Sequence, residues 1–229
     1  HSGSRKLGSD VCEYYQKLAI KKLYESKGIS DEFLIPKRKK TLKKEISTKI
    51  SQTEKDLAYL EGNDFNNYLN DMAIVQKYAS FNRENIAKII IQEMNFSEIE
   101  RFETIHNYID FNRMILRKGA VSAELGEKLI VPINMRDGSL LCVGKGNENW
   151  NYSAPHGAGR LMSRTQAKKL IDIQDFQDTM QNIYTSSVSR KTIDEAPQAY
   201  KSLHEILSTI KPTADVIGII KPLYNFKSP

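Results

Sequence analysis

The sequence is poor in the residues that build disulfide frameworks and local zinc sites. Only two of the 229 residues are cysteines, Cys12 and Cys142, and only four are histidines. The cysteines are far apart and form no CxxC pair, and no two histidines form an HxH or HExxH pair. These absences exclude a zinc signature carried by one short segment. We expect buried, reduced thiols in a cytoplasmic protein.

Long apolar runs are also missing. No stretch approaches the roughly 18 consecutive apolar residues of a membrane span, and no basic segment followed by an apolar one suggests a signal peptide. We therefore expect no membrane partner. The formal net charge of +6 favours a polyanionic partner, although basicity alone identifies none.

The first third of the sequence has the apolar spacing of helices. Over residues 9–27 apolar side chains recur mostly every three or four positions, and Gly28 follows as an end signal. A longer helix is predicted from a cap at Asp64 to about Met94, and a short one over 97–102.

Short apolar runs separated by turn residues replace this spacing in the middle of the chain. The predicted strands are residues 104–111, 114–116, 129–133 and 140–143, and the last two are predicted to form a hairpin around Asp137-Gly138. Later elements are predicted as helices over 165–171, 175–183 and 199–209 and a strand over 215–220. The pattern predicts an α+β fold with a helical N-terminal third and a β-rich middle that forms a sheet core flanked by helices.

One strongly basic run interrupts the helical third. Residues 36–49, "PKRKKTLKKEISTK", contain seven basic residues against Glu45. Such a run is either a solvated face or a surface that contacts phosphates, and we assign residues 29–62 as a basic peripheral segment.

The octapeptide "SAPHGAGR" places His156 among very small residues. Gly157 and Gly159 let a large ligand approach the backbone, and Arg160 offers a planar fork of donors that suits phosphate. The imidazole could act as a base, a metal ligand or a nucleophile. A glycine-rich turn with a surface histidine fits the octapeptide equally well.

Two other histidines have plain structural interpretations. His106 lies in the apolar run "TIHNYIDF", where a core histidine on a strand, hydrogen-bonded through one nitrogen, is a sufficient explanation. His204 falls in a helical pattern and is predicted to be a surface residue.

The order of several motifs resembles the RtcB family of RNA ligases. They are "HSGSR", "YLNDM…YASFNR", "HNYIDF", "RKGAVSA", "VPINMRDGS", "GKGN", "HGAGRLMSR", "DEAPQAYK" and "YNFK". Together they cover nearly the whole chain, and an ordered set is far more specific than any one motif.

The resemblance implies a reaction and its reagents. Such enzymes join an RNA end with a 3′-phosphate or 2′,3′-cyclic phosphate to a 5′-hydroxyl end, with GTP and Mn²⁺. His156 would be the nucleophile that takes GMP as a phosphoramidate, and Arg160 would steady phosphate charge. His1 and His106 would be Mn²⁺ ligands.

The resemblance also implies a set of nucleotide contacts. The matching positions are Asn107, Pro132, Ile133, Asn134, Met135, Ser139, His156, Gly157, Ala158, Gly159, Arg160, Tyr200 and Lys227. Tyr200 would pack against or bond the guanine, and Lys227 would read a guanine edge. One departure affects this set, because the family's "PGSM" is "PINM" here, which changes the loop at Ile133 and Asn134.

The remaining family ligands have no counterpart in this sequence. Cys12 and Cys142 do not match the family's cysteine, and its other ligands lie upstream of "HSGSR". We therefore expect residues 1–229 to be one RtcB-like catalytic domain that lacks its N-terminal part, and to be inactive alone. An archease-like activator is a further implied partner. The alternatives are a non-catalytic RNA-binding paralogue and another nucleotidyl or phosphoryl transfer on the same scaffold.

Overall fold

The structure, a computed structural model, describes residues 2–29 and 50–225 of the chain. These residues form two compact units, His1–Ile99 and Glu100–Pro229. The basic run 36–49 lies outside the described residues, and the assignment of one domain over 1–229 stays a prediction. In the described part of the chain, no helix is both long enough and apolar enough to span a membrane.

The first unit is helical. Its described helices are α1 (Arg5–Ser26), α2 (Gln52–Asp56) and α3 (Gly62–Glu93). Helix α1 confirms the prediction for residues 9–27, and Gly28 ends it with a left-handed φ of +67°. Cys12 is exposed on α1, so its predicted burial is wrong.

Two helix predictions differ from the structure, namely the cap of the long helix and the short helix over 97–102. Helix α3 begins at Gly62, and Asp64 lies in its first turn rather than at the cap position. The Asp64 carboxylate instead pairs with Lys22 Nζ at 2.9 Å. No helix forms over 97–102, because Asn95 takes a left-handed φ of 51° and the residues that follow, including a fully exposed Ile99, bury nothing that would stabilise another turn.

Helices α1 and α3 pack through a narrow stripe with polar contacts at its edges. Val75 and Ala79 are the buried residues of α3, and Tyr15 of α1 donates a hydrogen bond to Asp71 Oδ2 at 2.7 Å. Near the end of α3, Asn82 Nδ2 donates to Ser2 Oγ at 2.9 Å and to the Gly3 carbonyl at 3.0 Å. The "HSGSR" segment is thereby attached to the long helix.

The second unit combines small sheets with short helices. Its strands are β1 (Asn107–Asp110), β2 (Ile115–Lys118), β3 (Ala120–Ser122), β4 (Lys128–Asn134), β5 (Gly138–Gly144), β6 (Ser153–Pro155), β7 (Tyr184–Thr185), β8 (Ala214–Ile220) and β9 (Tyr224–Asn225). Strands β1–β2, β3–β6 and β4–β5–β8 pair antiparallel, and β7–β9 pair parallel. Its helices are α4 (Arg164–Leu170), α5 (Ile173–Thr179) and α6 (Leu203–Thr209). The predicted α+β class is confirmed.

The central hairpin β4–β5 forms as predicted. Both strands alternate buried and less buried residues, and Leu140 and Cys142 are fully buried in the core. Burial raises the pKa of the Cys142 thiol to about 11. At the turn, Asn134 Oδ1 accepts hydrogen bonds from the backbone amides of Arg136 and Asp137. Gly138 has a φ of +81°, and a Cβ there would lie 2.0 Å from the Ile220 carbonyl oxygen of β8.

Candidate functional site

His156 directly follows a short strand that fixes its position. Strand β6 pairs with β3 in a register that sets Pro155 opposite Ala120, so His156 lies next to Gly119. His156 Nδ1 is 2.6 Å from the Gly119 carbonyl oxygen, and the side chain is exposed. Because a carbonyl can only accept, this contact assigns the ring proton to Nδ1. In the neutral ring Nε2 then carries the lone pair, as a nucleophile or a metal ligand requires.

Gly119 connects His156 to the segment that carries His106. Its amide donates to the His106 carbonyl at 2.8 Å and to Asn107 Oδ1 at 3.1 Å. Gly119 has a φ of +67°, and a Cβ there would lie 3.5 Å from His156 Cε1. A glycine at this position therefore satisfies both the backbone conformation and the close contact with the ring.

The two histidines lie side by side. The ring centroids of His106 and His156 are 5.1 Å apart, with the ring planes inclined at 31°. His106 is partly buried and precedes strand β1 by one residue, so the prediction that it lies on the strand is wrong by one position. His204 is exposed on α6, as predicted.

The "GAG" of the octapeptide packs tightly against neighbouring backbone. The Ala158 amide donates to the Pro132 carbonyl of β4 at 2.9 Å, and a Cβ on Gly157 would lie 3.1 Å from the same oxygen. Gly159 has a φ of +72°, and its carbonyl accepts from the Lys201 amide at 3.1 Å. Both glycines thus have local backbone functions, while their predicted role beside a nucleotide stays a prediction.

Arg160 and Tyr200 form one network with the acidic residues of the "DEAPQAYK" motif. Arg160 Nη1 donates to Tyr200 Oη at 3.0 Å, and its Nη2 donates to the Asp194 carbonyl at 2.5 Å. The Tyr200 hydroxyl donates to Glu195 Oε2 at 2.6 Å. Burial, followed by the hydrogen bond to Glu195, raises the pKa of Tyr200 to about 12.

This network anchors both residues in the protein. Arg160 Nε also donates, to the Met162 carbonyl at 3.1 Å, so each guanidinium nitrogen has a protein acceptor. Tyr200 packs partly buried against the main core cluster. The sequence-based hypotheses of phosphate contact by Arg160 and guanine contact by Tyr200 stay predictions, and any such contact would come from groups already held in place.

The predicted nucleotide-binding segment Pro132–Met135 on the β4–β5 hairpin has few side chains that could contact a ligand. Ile133 and Met135 are 3% and 5% exposed and belong to different core clusters, so they could contribute only backbone atoms to a ligand. The Asn134 side chain completes the turn. Pro132 is exposed and Ser139 is partly exposed.

Two predicted site residues, His1 and Lys227, lie outside the described residues. The nearest described residue to Lys227 is Asn225, whose Nδ2 donates to the Met135 carbonyl at 2.6 Å. Strand β9 therefore contacts the "PINM" segment through Asn225.

The described residues do not form a metal centre. Across residues 2–29 and 50–225, no group of three or more histidine, cysteine, aspartate or glutamate side chains converges. His106 and His156 supply two imidazoles, and two such donors are too few for Mn²⁺, which prefers carboxylate and carbonyl oxygens. The predicted Mn²⁺ role of His106 therefore stays a prediction.

Sequence reasoning missed Gly119, Arg117 and Glu195 as parts of this site. Gly119 and Arg117 lie in "RKGAVSA" and Glu195 lies in "DEAPQAYK". Their position within family motifs was the one feature of the sequence that could have indicated a role in the site. Arg117 and Gly119 contact residues 151–156, which lie 34 to 37 positions further along the chain. Glu195 lies 35 positions beyond Arg160. Spacing along the chain does not reveal such contacts.

Comparison with known proteins agrees with the order of the motifs. The chain matches the family described as tRNA-splicing ligase RtcB over residues 1–228. It is 30% identical to the RNA-splicing ligase RtcB of Escherichia coli K12, over 96% of this chain and 53% of that protein. It is 32% identical to RtcB1 of E. coli ATCC 25922 over the same shares.

An archaeal relative extends the comparison. The tRNA-splicing ligase RtcB of Nanoarchaeum equitans is 27% identical over 99% of this chain and 50% of that protein. The chain spans about half the length of the curated relatives it matches. With the family match over nearly every residue, and with His106, Gly119 and His156 brought together, the chain belongs to the RtcB family.

Proposed function

We propose that this chain carries the guanylylation centre of a GTP-dependent RNA ligase, with His156 Nε2 as the nucleophile. The observation that supports this most directly is the contact between His156 Nδ1 and the Gly119 carbonyl. It assigns a proton to Nδ1, so that in the neutral ring Nε2 carries the lone pair, which is the form of imidazole that attacks phosphorus.

The proposed reaction has three displacements at phosphorus. His156 Nε2 attacks the α-phosphorus of GTP, a P–N bond forms, and the bond to pyrophosphate breaks. An oxygen of the RNA 3′-phosphate then attacks the same phosphorus, the P–N bond breaks, and GMP becomes linked to the RNA end. Finally the 5′-hydroxyl oxygen of the second RNA end attacks the 3′-phosphorus, its proton passes to solvent water, and the bond from that phosphorus to GMP breaks. An end with a 2′,3′-cyclic phosphate is first opened by water to a 3′-phosphate.

The Nδ1 contact has a function in the first step. When Nε2 forms its bond to phosphorus, the ring becomes positively charged and Nδ1–H becomes more acidic. The Gly119 carbonyl dipole lies 2.6 Å from Nδ1 and stabilises that charge without any side-chain reorganisation.

The nucleotide contacts proposed here use side chains that other protein groups already hold in place. Arg160 and Tyr200 are held by Glu195 and by the Asp194 carbonyl, and Asn107 is held by the Gly119 amide. Groups that are fixed before a ligand arrives lose little conformational entropy on binding. Backbone atoms of the Pro132–Met135 segment and the side chain of Ser139 complete the proposed set, with Lys227 reading the base.

The proposed metal is Mn²⁺, which would supply Lewis-acid stabilisation of phosphate charge when bound. His106 is its proposed ligand among the described residues, and His1 is a second. Further oxygen or thiolate donors are needed, because the described side chains do not complete a site. RNA with the stated end groups and an archease-like activator are the proposed partners, in the cytoplasm.

The test is covalent labelling of the complete protein. Incubation with Mn²⁺ and GTP labelled at the α-phosphate should give a protein adduct that is labile to acid and stable to base. His156→Ala should abolish the adduct. His204→Ala, which removes an exposed histidine on α6, should leave it unchanged. An adduct that persists in His156→Ala would refute the assignment.

The same experiment distinguishes the proposed ligase from a non-catalytic RNA-binding paralogue. A binding module would bind RNA without any adduct. If an adduct forms but no RNA ends are joined, the result would favour another nucleotidyl transfer on this scaffold.

A further inference from the structure

Arg117 is a buried arginine at the end of strand β2. It is 2% exposed, which is rare for arginine because removing a guanidinium from water is costly unless its donors are satisfied. The residue lies two positions before Gly119, whose carbonyl contacts His156. Its contacts extend in two directions from that position.

The first direction is strand β1, which begins just after His106. Arg117 Nη1 donates to Asp110 Oδ2 at 2.8 Å and to Tyr108 Oη at 2.9 Å. The pair Arg117–Asp110 is nearly enclosed, with side-chain exposures of 1% and 15%. The strand that leads away from His106 is thereby fixed to β2.

The second direction is the turn that precedes His156. Arg117 Nε donates to Ser153 Oγ at 2.9 Å, and Nη2 faces the carbonyls of Asn151 and Tyr152 at 3.4 and 3.3 Å. Asn151 and Tyr152 both have left-handed φ values, 49° and 51°. Two consecutive non-glycine residues in this region are strained and persist only where their surroundings hold them.

We propose that Arg117 is a positioning residue for His156: its guanidinium joins β1, the residue 117–119 segment and the strained turn 151–153, and so keeps the Gly119 carbonyl against Nδ1. This inference rests on the proposed function for its consequence, the availability of Nε2. The position of the ring itself can be tested without any reaction. A purely structural arginine would change stability but would leave the proton on Nδ1.

The test combines ring nitrogen spectroscopy with labelling. In full-length protein with ¹⁵N-labelled histidine, long-range ¹H–¹⁵N correlations should show His156 protonated at Nδ1. In Arg117→Lys, which keeps the charge but loses the fork, we expect a mixture of Nδ1–H and Nε2–H forms. The rate of GMP transfer at saturating GTP should fall about ten- to a hundredfold, with the KM for GTP changed much less.

A matched control and a milder variant keep the test decisive. Arg136→Lys alters another arginine in an ion pair with aspartate, at the β4–β5 turn, and should leave the His156 tautomer unchanged. Ser153→Ala removes the acceptor of Arg117 Nε, together with the hydrogen bond from Ser153 Oγ to the Asn151 carbonyl, and should shift the tautomer in the same direction if Arg117→Lys fails to fold.

The outcomes separate this inference from the proposed function. If the Nδ1–H form is retained in both Arg117→Lys and Ser153→Ala, the positioning role is refuted, whatever the rate. If the tautomer shifts as expected but wild-type protein forms no GMP adduct, the positioning role holds and the proposed function fails.

Discussion

The two units of this chain bury their apolar residues in different ways. Helix α3 has 32 residues, and only Val75 and Ala79 among them are buried. Strands β4 and β5 have seven residues each, and each buries three. Large apolar side chains on α3 are exposed, namely Phe65, Ile74, Tyr78, Phe81, Ile86, Ile89 and Ile90.

The difference shows what each kind of periodicity determines. A 3.6-residue apolar spacing predicts that a helix forms, but the width of the buried stripe depends on the neighbour that it meets. Strand alternation with a tight turn determines both the element and its partner, since the hairpin closes on itself. The candidate-site residues that the structure describes accordingly lie in the strand-rich unit, where short pairings fix positions closely.

The sharpest test of this comparison is a pair of large-to-small substitutions. Leu140→Ala, at a fully buried position of β5, should lower the free energy of unfolding of the second unit by about 2–5 kcal/mol. Ile89→Ala on α3, where the side chain is 58% exposed, should change stability by no more than about 0.5 kcal/mol. Amide hydrogen exchange of the β5 and α3 backbones measures each unit separately. Similar losses at both sites would contradict the contrast.

Two glycines of the second unit allow the cost of a left-handed backbone conformation to be distinguished from an effect on the reaction of His156. Gly119 and Gly126 have φ values of +67° and +80°, so alanine at either should cost about 1–2 kcal/mol. Only Gly119 lies against His156, whereas a Cβ on Gly126 would meet nothing within 4 Å. Gly119→Ala should therefore also reduce GMP labelling of His156, and Gly126→Ala should not. Equal labelling in both variants would mean that the Gly119 geometry does not matter to the reaction.

Loss of the polar contact between Asn82 of α3 and the "HSGSR" segment should change stability less. Asn82→Ala removes the hydrogen bonds to Ser2 and Gly3 and should cost about 1 kcal/mol. Asn67→Ala, at an exposed position of the same helix, has the same change in helix propensity and serves as the control. The difference in thermal unfolding between the two variants isolates the contact. No difference would show that the "HSGSR" segment is held by other means.

The smallest expected change is a shift in the titration of Tyr200, which occurs far above neutral pH. Its pKa in the folded protein is raised to about 12, so its contribution to stability is complete below pH 10 and is lost as the pH rises from about 10 to 12. Glu195→Gln should lower the pKa of Tyr200, because it removes the negative carboxylate that accepts the hydrogen bond from the phenol. Phenolate absorbance, taken as a difference from Tyr200→Phe, measures this. An unchanged titration would assign the pKa shift to burial alone.

The sequence was sufficient for local structure and insufficient for contacts across the chain. Gly28 ended α1, and Asp137-Gly138 placed the hairpin, because both signals act within a few residues. The exposed Cys12 and the missing helix over 97–102 depended on the neighbours those residues meet, which composition does not reveal.

The candidate site shows the same division. The family motifs pointed to His106, His156, Arg160 and Tyr200, and the structure brings the first two together and pairs the last two. Neither the Gly119 carbonyl nor the buried Arg117 could be inferred, since one is a backbone atom and the other is a charged residue in a core position.

Gly119 also determines how this site would respond to mutational scanning. Its amide donates to the His106–Asn107 segment and its carbonyl contacts His156, so Gly119 makes both interactions with main-chain atoms. No substitution at position 119 other than proline removes either main-chain group, and a scan would record position 119 merely as intolerant of a Cβ. Replacing the following peptide bond by an ester would weaken the carbonyl as an acceptor while keeping every side chain. The contact that orients His156 thus depends on a main-chain atom of Gly119, which chemical synthesis can alter directly and codon changes reach only through the surrounding residues.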